Sequence, residues 1–486
     1  MKKIEKINTL FIPFSLKTKS PVREEIELWT IQRQVIRKKS FDYLSDEEYL
    51  KLGNSRLQHV GLLSLCSVLR NCGYQVNYFI PDEDQINDLF LEEVADCDML
   101  LVSSFTYNFN QAIEYSKKVR ELNHRVCIGI GGHHAPHLPE MSLRTEQGNL
   151  FNFTIKGYAE NVIKKVPLAF ENGNLRMLKD IPQLAYIDPE GGFHQNTIYD
   201  FPLLKNIPLP ANDLIPVHDL IGARVFSAYG CPFMCKMCNL GQENSYSERP
   251  LELFEQEIDY LIHEKEVRYV YLGDPTLAAN LERFKQIVDI LNSYPLIKWG
   301  GQTRLPIAQN AEFRAILANS ECVHLEVGIE SLAQPLLNHI QKDINATSSE
   351  EILYRLKENK KVYIETNWMF GMPGSNETTI RHDQEKMKQY IRDGMDTHVG
   401  MFVPFPGTPI FAHPEDFGIR IEDTNWDNFT FHGKPVFGQI NGLNSEEIFG
   451  LYRQTMSELK LVFEETYDQN ILNTRVKDLT TEISYF

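Results

Sequence analysis

Three cysteines at the spacing CxxxCxxC, Cys231, Cys235 and Cys238, stand out by residue type and spacing as groups that could do chemistry. Thiolates are soft ligands that suit iron–sulfur clusters or zinc. Zinc would want a fourth Cys or His at short spacing, and the next histidine after Cys238 is His263. A cubane cluster of four irons takes three thiolates from such a loop and keeps one iron open to a small molecule. Something must hold the three sulfurs on one small arc. The apolar run 223–227 reads as a strand, and Gly230-Cys231-Pro232 breaks it. The cysteines therefore fall in a loop at the carboxyl end of a strand.

From residue 223 the alternation of strand and helix recurs six times. The predicted strands are 223–227, 269–272, 297–300, 322–327, 362–370 and 397–402, with helices between them such as 251–264 and 281–291. A parallel barrel of this kind collects function at the carboxyl ends of its strands. Those ends carry Gly273-Asp274, then Gln302 and Arg304, then Gly328-Ile329-Glu330-Ser331, then the Gly371 and Pro404 turns. The cysteine loop resembles the signature of the radical S-adenosylmethionine (SAM) superfamily. Met237 departs from it, standing where the family has an aromatic residue before the third cysteine; Met can pack over a cluster much as a ring does. Glu330-Ser331, Gly371 to Gly374 and Pro404 to Pro409 resemble the family's GIES, GxPG and PxPGTP turns. The resemblance implies a partial (βα)6 barrel, a 4Fe-4S cluster on Cys231, Cys235 and Cys238, and SAM on the open iron. Gly273, Asp274, Gln302, Arg304, Glu330 and Ser331 would lie against SAM.

The first third of the chain reads as another α/β unit. Strands are predicted at 7–14, 74–80, 99–105, 126–130 and 151–155, with a helix at 61–70 and another through Ala112, Tyr115, Val119 and Leu122. Strands alternating with helices imply a doubly wound parallel sheet, with ligands at the carboxyl ends. Ser103, Ser104 and Thr106 end the third strand. Gly131 and Gly132 follow the fourth, where a side chain would block a ligand, and His133 comes next. Gly157 follows the fifth. The texts GGHHAPHLPE from Gly131 and GYAE from Gly157 resemble the cobalamin-binding domain that precedes many radical SAM domains. The resemblance implies that Ser103, Ser104, Thr106, Gly131, Gly132, His133 and Gly157 hold cobalamin. The DxHxxG loop whose His binds cobalt in other cobalamin proteins is absent, and His59 lacks its Asp and spacing. The alternative is a flavodoxin-like fold with a structural role or another nucleotide-like ligand.

The predicted organisation is a cobalamin-binding-like domain over 1–169, a linker over 170–210, a radical SAM domain over 211–425 and a helical C-terminal region over 426–486. Pro202, Pro208 and Pro210 support the linker. An insertion over 17–56 carries Val22, Ile26, Trp29 and Ile36 at near-helical spacing. It follows the first strand and reads either as a lid over cofactor or substrate or as a helix packed on the domain's side. Asn444-Ser445-Glu446-Glu447 predicts a helix N-terminus, and Ile448, Leu451, Tyr452, Met456, Leu459 and Phe463 form its apolar face.

Composition bounds the function. A chain of 486 residues has room for two or three domains. Its net charge of −17 argues against nucleic acid as the main partner. No apolar run is long enough to span a bilayer, and the N-terminus lacks a signal-peptide pattern. Cys66, Cys72, Cys97, Cys127 and Cys322 are scattered and read as small hydrophobes in a reducing cytoplasm. The resemblances together imply a cobalamin-dependent radical SAM enzyme, foremost a methyltransferase acting on an unactivated carbon or phosphorus. Its substrate would be a small molecule or peptide, and its electron donor a flavodoxin or ferredoxin. Three alternatives stay open: a radical enzyme doing non-methylating oxidation, cyclisation or rearrangement; an RNA methylthiotransferase; a non-catalytic cobalamin or metal binder. The second needs an N-terminal cysteine set that Cys66, Cys72, Cys97 and Cys127 do not form.

Overall fold

The strands of the first third are short runs whose residues are buried on both faces, as helices on both sides of a parallel sheet require. The computed structural model describes residues 3–13, 37–52, 58–81, 88–145, 148–171, 175–188, 190–201, 204–242 and 246–467. The predicted helix through Val22, Ile26, Trp29 and Ile36 lies outside them. The chain divides into two compact units, Met1–Ser15 with Arg56–Pro216, and Leu16–Ser55 with Val217–Phe486.

The first unit holds a seven-stranded sheet. Its strands are β1 (Lys6–Phe11), β2 (Gln75–Phe79), β3 (Met99–Ser104), β4 (Cys127–Gly132), β5 (Phe153–Ile155), β6 (Leu184–Ile187) and β7 (Phe193–Gln195), in the order β2-β1-β3-β4-β5-β6-β7. The first five run parallel, and β6 and β7 are antiparallel additions. Helix α1 (Val60–Asn71) buries Leu63, Cys66 and Leu69; α2 (Phe109–Leu122) buries Ala112, Tyr115 and Val119. The segment expected to be a linker, 170–210, instead extends this sheet. Tyr186 of β6 is fully buried among Phe153, Ile155 and Leu184. Its Gly and Pro content marks an edge hairpin, whose turn is closed by Gly192 N–H donating to Asp188 Oδ1 at 2.6 Å.

The second unit holds six parallel strands in chain order: β8 (Gly222–Val225), β9 (Tyr269–Leu272), β10 (Lys298–Arg304), β11 (Cys322–Glu330), β12 (Tyr363–Phe370) and β13 (Asp396–Met401). Helices α3 (Leu251–His263), α4 (Leu281–Asn292), α5 (Ala346–Lys357) and α6 (Glu377–Arg392) connect them. Alternation sorts the side chains. Leu325, Val327, Thr366 and Trp368 are buried on one face; Glu326, Asn367 and His398 on the other stay partly accessible. Helix α7 (Ser445–Thr466) starts at a capping box, Asn444 Oδ1 accepting from Glu447 N–H at 3.0 Å. It packs on α6, where Glu458 meets Lys388 Nζ at 2.6 Å. Among the described residues no helix is long and apolar enough to cross a membrane.

The described part of the insertion, 37–52, groups with the second unit. Phe41, Leu44 and Tyr49 bury against Tyr269 and Val323, which open β9 and β11. Lys38 Nζ fixes the turn by donating to the Leu44 carbonyl at 2.7 Å. This part therefore covers the amino ends of the strands, opposite the cysteine loop. The lid expected from its place after β1 is not what these residues form. Their aromatic side chains shield strand ends that water would otherwise reach, and that burial decided the position.

One buried carboxylate fixes the way out of β8. Asp274, just past β9, accepts Ser227 N–H at 2.6 Å and Ala228 N–H at 3.2 Å on Oδ1, and the Ser227 hydroxyl on Oδ2. Burial pushes its carboxyl up to about 6, against these hydrogen bonds, which favour the charged form. A carboxyl raised in the fold contributes stability when protonated, and that contribution is lost as pH rises through about 6. Asp274→Asn keeps an acceptor for both amides and is expected to cost little at pH 7.5. From pH 7.5 to pH 5 the unaltered chain should gain about 1 kcal/mol over Asp274→Asn. Asp274→Ala strands two buried amides and should cost on the order of 2–4 kcal/mol. Urea unfolding of the three chains at both pH values measures this; a pH-independent gap would refute the assignment.

Candidate functional site

The cysteine loop begins where the short strand Ala228–Gly230 ends; this strand pairs antiparallel with Tyr246–Glu248. Inside it, Cys238 N–H donates to the Cys235 carbonyl at 3.2 Å. The Gln242 side chain donates to the carbonyls of Cys235 at 2.8 Å and Cys238 at 3.0 Å. Lys236 N–H donates to the Ile340 carbonyl at 2.9 Å and ties the loop to the chain beyond β11. All three cysteines are half-buried. Burial pushes the Cys231 and Cys238 thiols up; at Cys231 the Phe233 N–H and the Arg304 guanidinium act the other way. A metal cluster must therefore displace protons from these thiols. Among the described residues no three His, Cys, Asp or Glu side chains converge on a single ion position. Three thiol ligands within one loop are the soft donor set that an iron–sulfur cluster takes.

Arg304, at the carboxyl end of β10, reaches this loop. Its guanidinium lies 3.9 Å from the Phe233 ring centroid, and Nη1 donates to Cys235 Sγ at 3.5 Å. Its Nε is buried and has no acceptor among the described residues. A buried donor without a partner beside a cluster loop fits an anionic group of a bound ligand. Gln302, on the same strand, donates to the Asp274 and Pro275 carbonyls at 3.3 and 3.1 Å. Gly273 leaves room for Arg224 and Phe226, whose atoms a Cβ would meet at 2.8 and 2.9 Å. Glu330 ends β11 in the left-handed region, at φ 66°, and is held there by a buried ion pair with Lys342. Gly328 gives this pair room: a Cβ there would meet Lys342 Nζ at 2.8 Å and Glu330 Oε1 at 3.0 Å. Ser331 faces another partner, its hydroxyl donating to Asp383 at 2.5 Å. Of the six residues expected near SAM, Arg304 is the one in direct contact with the cysteine loop. Ser331 and Asp274 are engaged in buried networks of the fold itself.

Gln242 and Lys342 were not singled out from the sequence. Neither sits in a motif that announces it; Lys342 lies 12 residues beyond Glu330, past the short helix Gln334–His339.

The accessible face of the second unit carries a polar row that the sequence also hid. Arg304 stands in register with Gly328, Gly328 with Asn367, and Asn367 with His398. Glu326 and Glu365 are register partners one step below. Glu326 accepts from Tyr271 Oη at 3.0 Å and from Asn367 Nδ2 at 3.4 Å; Asn367 Oδ1 lies 3.3 Å from His398 Nδ1.

In the first unit the predicted residues gather at the carboxyl ends of β3 and β4. Gly132 takes φ 96°, and a Cβ there would overlap the Ser104 carbonyl. At Gly131 a Cβ would meet, among the described residues, only the Val102 carbonyl, 3.9 Å away, which leaves space beside it. Ser104 Oγ is buried with no partner among the described residues, a polar atom that a bound ligand would satisfy. Thr106 Oγ1 lies 3.3 Å from Nδ1 of the buried His134, whose imidazole burial holds neutral, down to about 3. The His133 ring stacks on Phe105 at 5.5 Å, and Phe105 stacks on Tyr107 at 5.4 Å. Gly157 follows β5 at φ 70°. His59 caps α1: its Nδ1 accepts from Leu62 N–H at 3.0 Å, so its Nε2 carries the proton and donates to Ser103 Oγ at 3.1 Å. The open glycine and the unpartnered serine hydroxyl fit a planar cofactor lying against these loops.

The comparisons agree with both halves of this geometry. Residues 54–166 match the B12 binding domain family, and residues 225–387 match the Radical SAM superfamily. The anaerobic magnesium-protoporphyrin IX monomethyl ester cyclase of Cereibacter sphaeroides is 23% identical over 386 residues, 76% of this chain and 61% of that protein. The chain thus spans about three fifths of that relative. The bacteriochlorophyllide d C-12(1)-methyltransferase of Chlorobaculum tepidum is 22% identical over 72% of each chain. Among solved structures, the radical SAM methyltransferase TsrM from Kitasatospora setae, with cobalamin and a [4Fe-4S] cluster bound, superposes with a TM-score of 0.64. That match is 14% identical and covers 87% of this chain and 81% of that one. The cobalamin-dependent radical enzyme OxsB gives 0.61 at 12% identity, over 98% of this chain and 61% of that one. At such identities the likeness is one of fold. The chain thus carries a domain matching the B12 binding family followed by one matching the Radical SAM superfamily, and the cysteine loop lies in the second.

Proposed function

We propose that the chain is an enzyme that cleaves SAM at a reduced 4Fe-4S cluster and methylates an unactivated carbon, or phosphorus, of a small-molecule or peptide substrate. When bound, the cluster supplies an electron to SAM and cobalamin supplies the methyl group. The observation that carries this reading is Arg304, bonded to Cys235 Sγ by one nitrogen while its buried Nε awaits an acceptor. The three thiols release their protons as they take metal, and Gln242 keeps their backbone in place. Arg304 Nε then donates to the SAM carboxylate. Glu330, fixed by Lys342, presents a carboxylate at the same strand ends. In the first unit Ser104 and the glycines receive cobalamin. The electron would come from a flavodoxin or ferredoxin, in a cytoplasm that protects such cofactors from oxygen.

Similarity to the cyclase supports a second reading, in which the same cofactors drive oxidation or cyclisation without methylation. Product mass separates them: a gain of one methylene for methylation, a loss of hydrogen for the other.

Anaerobic reconstitution with iron, sulfide and hydroxocobalamin tests the proposal. The unaltered chain should retain near-stoichiometric cobalamin beside the visible absorption of the cluster. Cys235→Ser should lose that absorption and lower 5′-deoxyadenosine formation by at least ~100-fold, about 3 kcal/mol in barrier. A chain that binds the cluster but no cobalamin would overturn methyl transfer. Gly131→Leu supplies the matching test in the first unit. A Cβ there meets nothing nearer than 3.9 Å among the described residues, so the backbone should tolerate the substitution, checked by thermal unfolding, while cobalamin retention falls by roughly tenfold or more. Unaltered retention would place the cofactor elsewhere. Gly132→Ala, by contrast, should destabilise the unit by ~1–3 kcal/mol, because its φ and the Ser104 carbonyl forbid a Cβ.

A further inference from the structure

Resting on the reading above, we propose that the interior face of the second unit binds a substrate bearing a protonated nitrogen, held on Glu326 with His398 beside it. The argument follows hydrogen-bond direction. Glu326 takes a proton from Tyr271 Oη and another from Asn367 Nδ2. With its amide nitrogen turned to Glu326, Asn367 presents Oδ1 to His398 and must accept. His398 Nδ1 therefore carries the hydrogen, and in the neutral ring Nε2 bears the lone pair. The Tyr271 and Asn367 donors are both spent on Glu326, and what Glu326 offers a ligand is its carboxylate.

Charge points the same way. Glu326 stands directly opposite Glu365 across two paired strands, an arrangement that repels. Glu365 has imidazoles near it, His324 Nε2 at 3.4 Å and His398 Nδ1 at 3.8 Å. Both of Glu326's hydrogen-bond donors are neutral, and among the described residues it makes no ion pair. Arg224 lies over the Tyr271 ring at 5.3 Å and does not pair with it. A half-buried carboxylate with neutral partners is stabilised by an incoming cation and repels an anion. An apolar ligand would strip water from that charge and return nothing.

The place is right for a substrate. Glu326 and Asn367 are partly accessible, and the His398 side chain, on the edge strand β13, is 41% exposed, so a small molecule can reach this face. The row of Asn367 and His398 is in register with Arg304, which touches Cys235 Sγ. A molecule bound there would lie within the same strand ends that carry the cluster loop.

The test uses the full chain with its cluster reconstituted and S-adenosylhomocysteine present. Phenethylamine and benzamidine are titrated by calorimetry against phenylacetate, which matches their size but is anionic. Both cations should bind, and phenylacetate at least about tenfold more weakly, the discrimination of one charge-assisted hydrogen bond. Glu326→Gln, nearly the same shape without the charge, should weaken both cations by about tenfold or more. The inference is overturned if phenylacetate binds as tightly as the amines, if neither class binds, or if Glu326→Gln changes nothing. Should that variant fail to keep its cluster absorption, the comparison of probes on the unaltered chain decides alone. Absence of amine binding in a chain that retains cluster and cobalamin overturns this inference only; a chain that retains neither overturns the reading beneath it.

Discussion

The cysteine loop hangs from a carboxylate that water does not reach. Asp274 gathers two backbone amides and a hydroxyl from Ser227 and Ala228, at the point where β8 stops and the chain turns toward Cys231. A loop of this size, rich in Gly and Pro, has few internal hydrogen bonds and would sample many shapes. Three sulfurs can meet one cluster only if the entrance, the middle and the side of the loop are each fixed. Asp274 fixes the entrance, Gln242 the middle, and Arg304 the side through Phe233 and Cys235. Burial opposes the charge on Asp274, yet the three hydrogen bonds need an acceptor just there. The fold accepts a carboxyl held at about 6 in return for a defined strand exit.

The same trade recurs along the strand ends of the second unit. Glu330 occupies a backbone region that L-residues avoid, and the buried Lys342 keeps it there. Ser331 and Leu332 close on Asp383, whose carboxyl burial also raises. These networks are complete within the protein. Among the buried polar atoms without a partner in the described residues are Arg304 Nε at the cluster loop and, in the first unit, Ser104 Oγ. These two stand out because each lies beside a loop whose residue types also suit a cofactor.

The two units use different means to make room. The first relies on backbone, with Gly131 leaving space and Gly132 turning in a conformation that a side chain would forbid. Its histidines are structural or stacked: His59 caps a helix, His134 bonds Thr106, and His133 lies on Phe105. The second relies on side-chain alternation along parallel strands. One face is sealed by Leu325, Val327 and Trp368, and the other exposes Glu326, Asn367 and His398. An enzyme of this kind would thus present a planar apolar-edged seat in one unit and a polar, acceptor-rich wall in the other.

The sequence by itself determined the order of the elements, the cysteine loop and the glycines of the first unit. Each of these is local: three sulfurs within eight residues, a Gly-Gly pair after an apolar strand, six strand–helix repeats. Local signals survive without coordinates because spacing along the chain equals spacing in space. Tertiary structure alone decided three things. The segment 170–210 looked like a linker because its turns are rich in Pro and Gly, but Tyr186 buries in the first core and makes it an edge of that sheet. The insertion after β1 read as a lid or as a helix packed on the domain's side; in its described part Phe41, Leu44 and Tyr49 bury at the amino ends of β9 and β11. Asn367 and His398, with Glu326 one step below them on the same face, come from three strands more than 30 residues apart in sequence, brought together only by parallel register. Burial and register are sums over distant contacts, and no window of the sequence contains them.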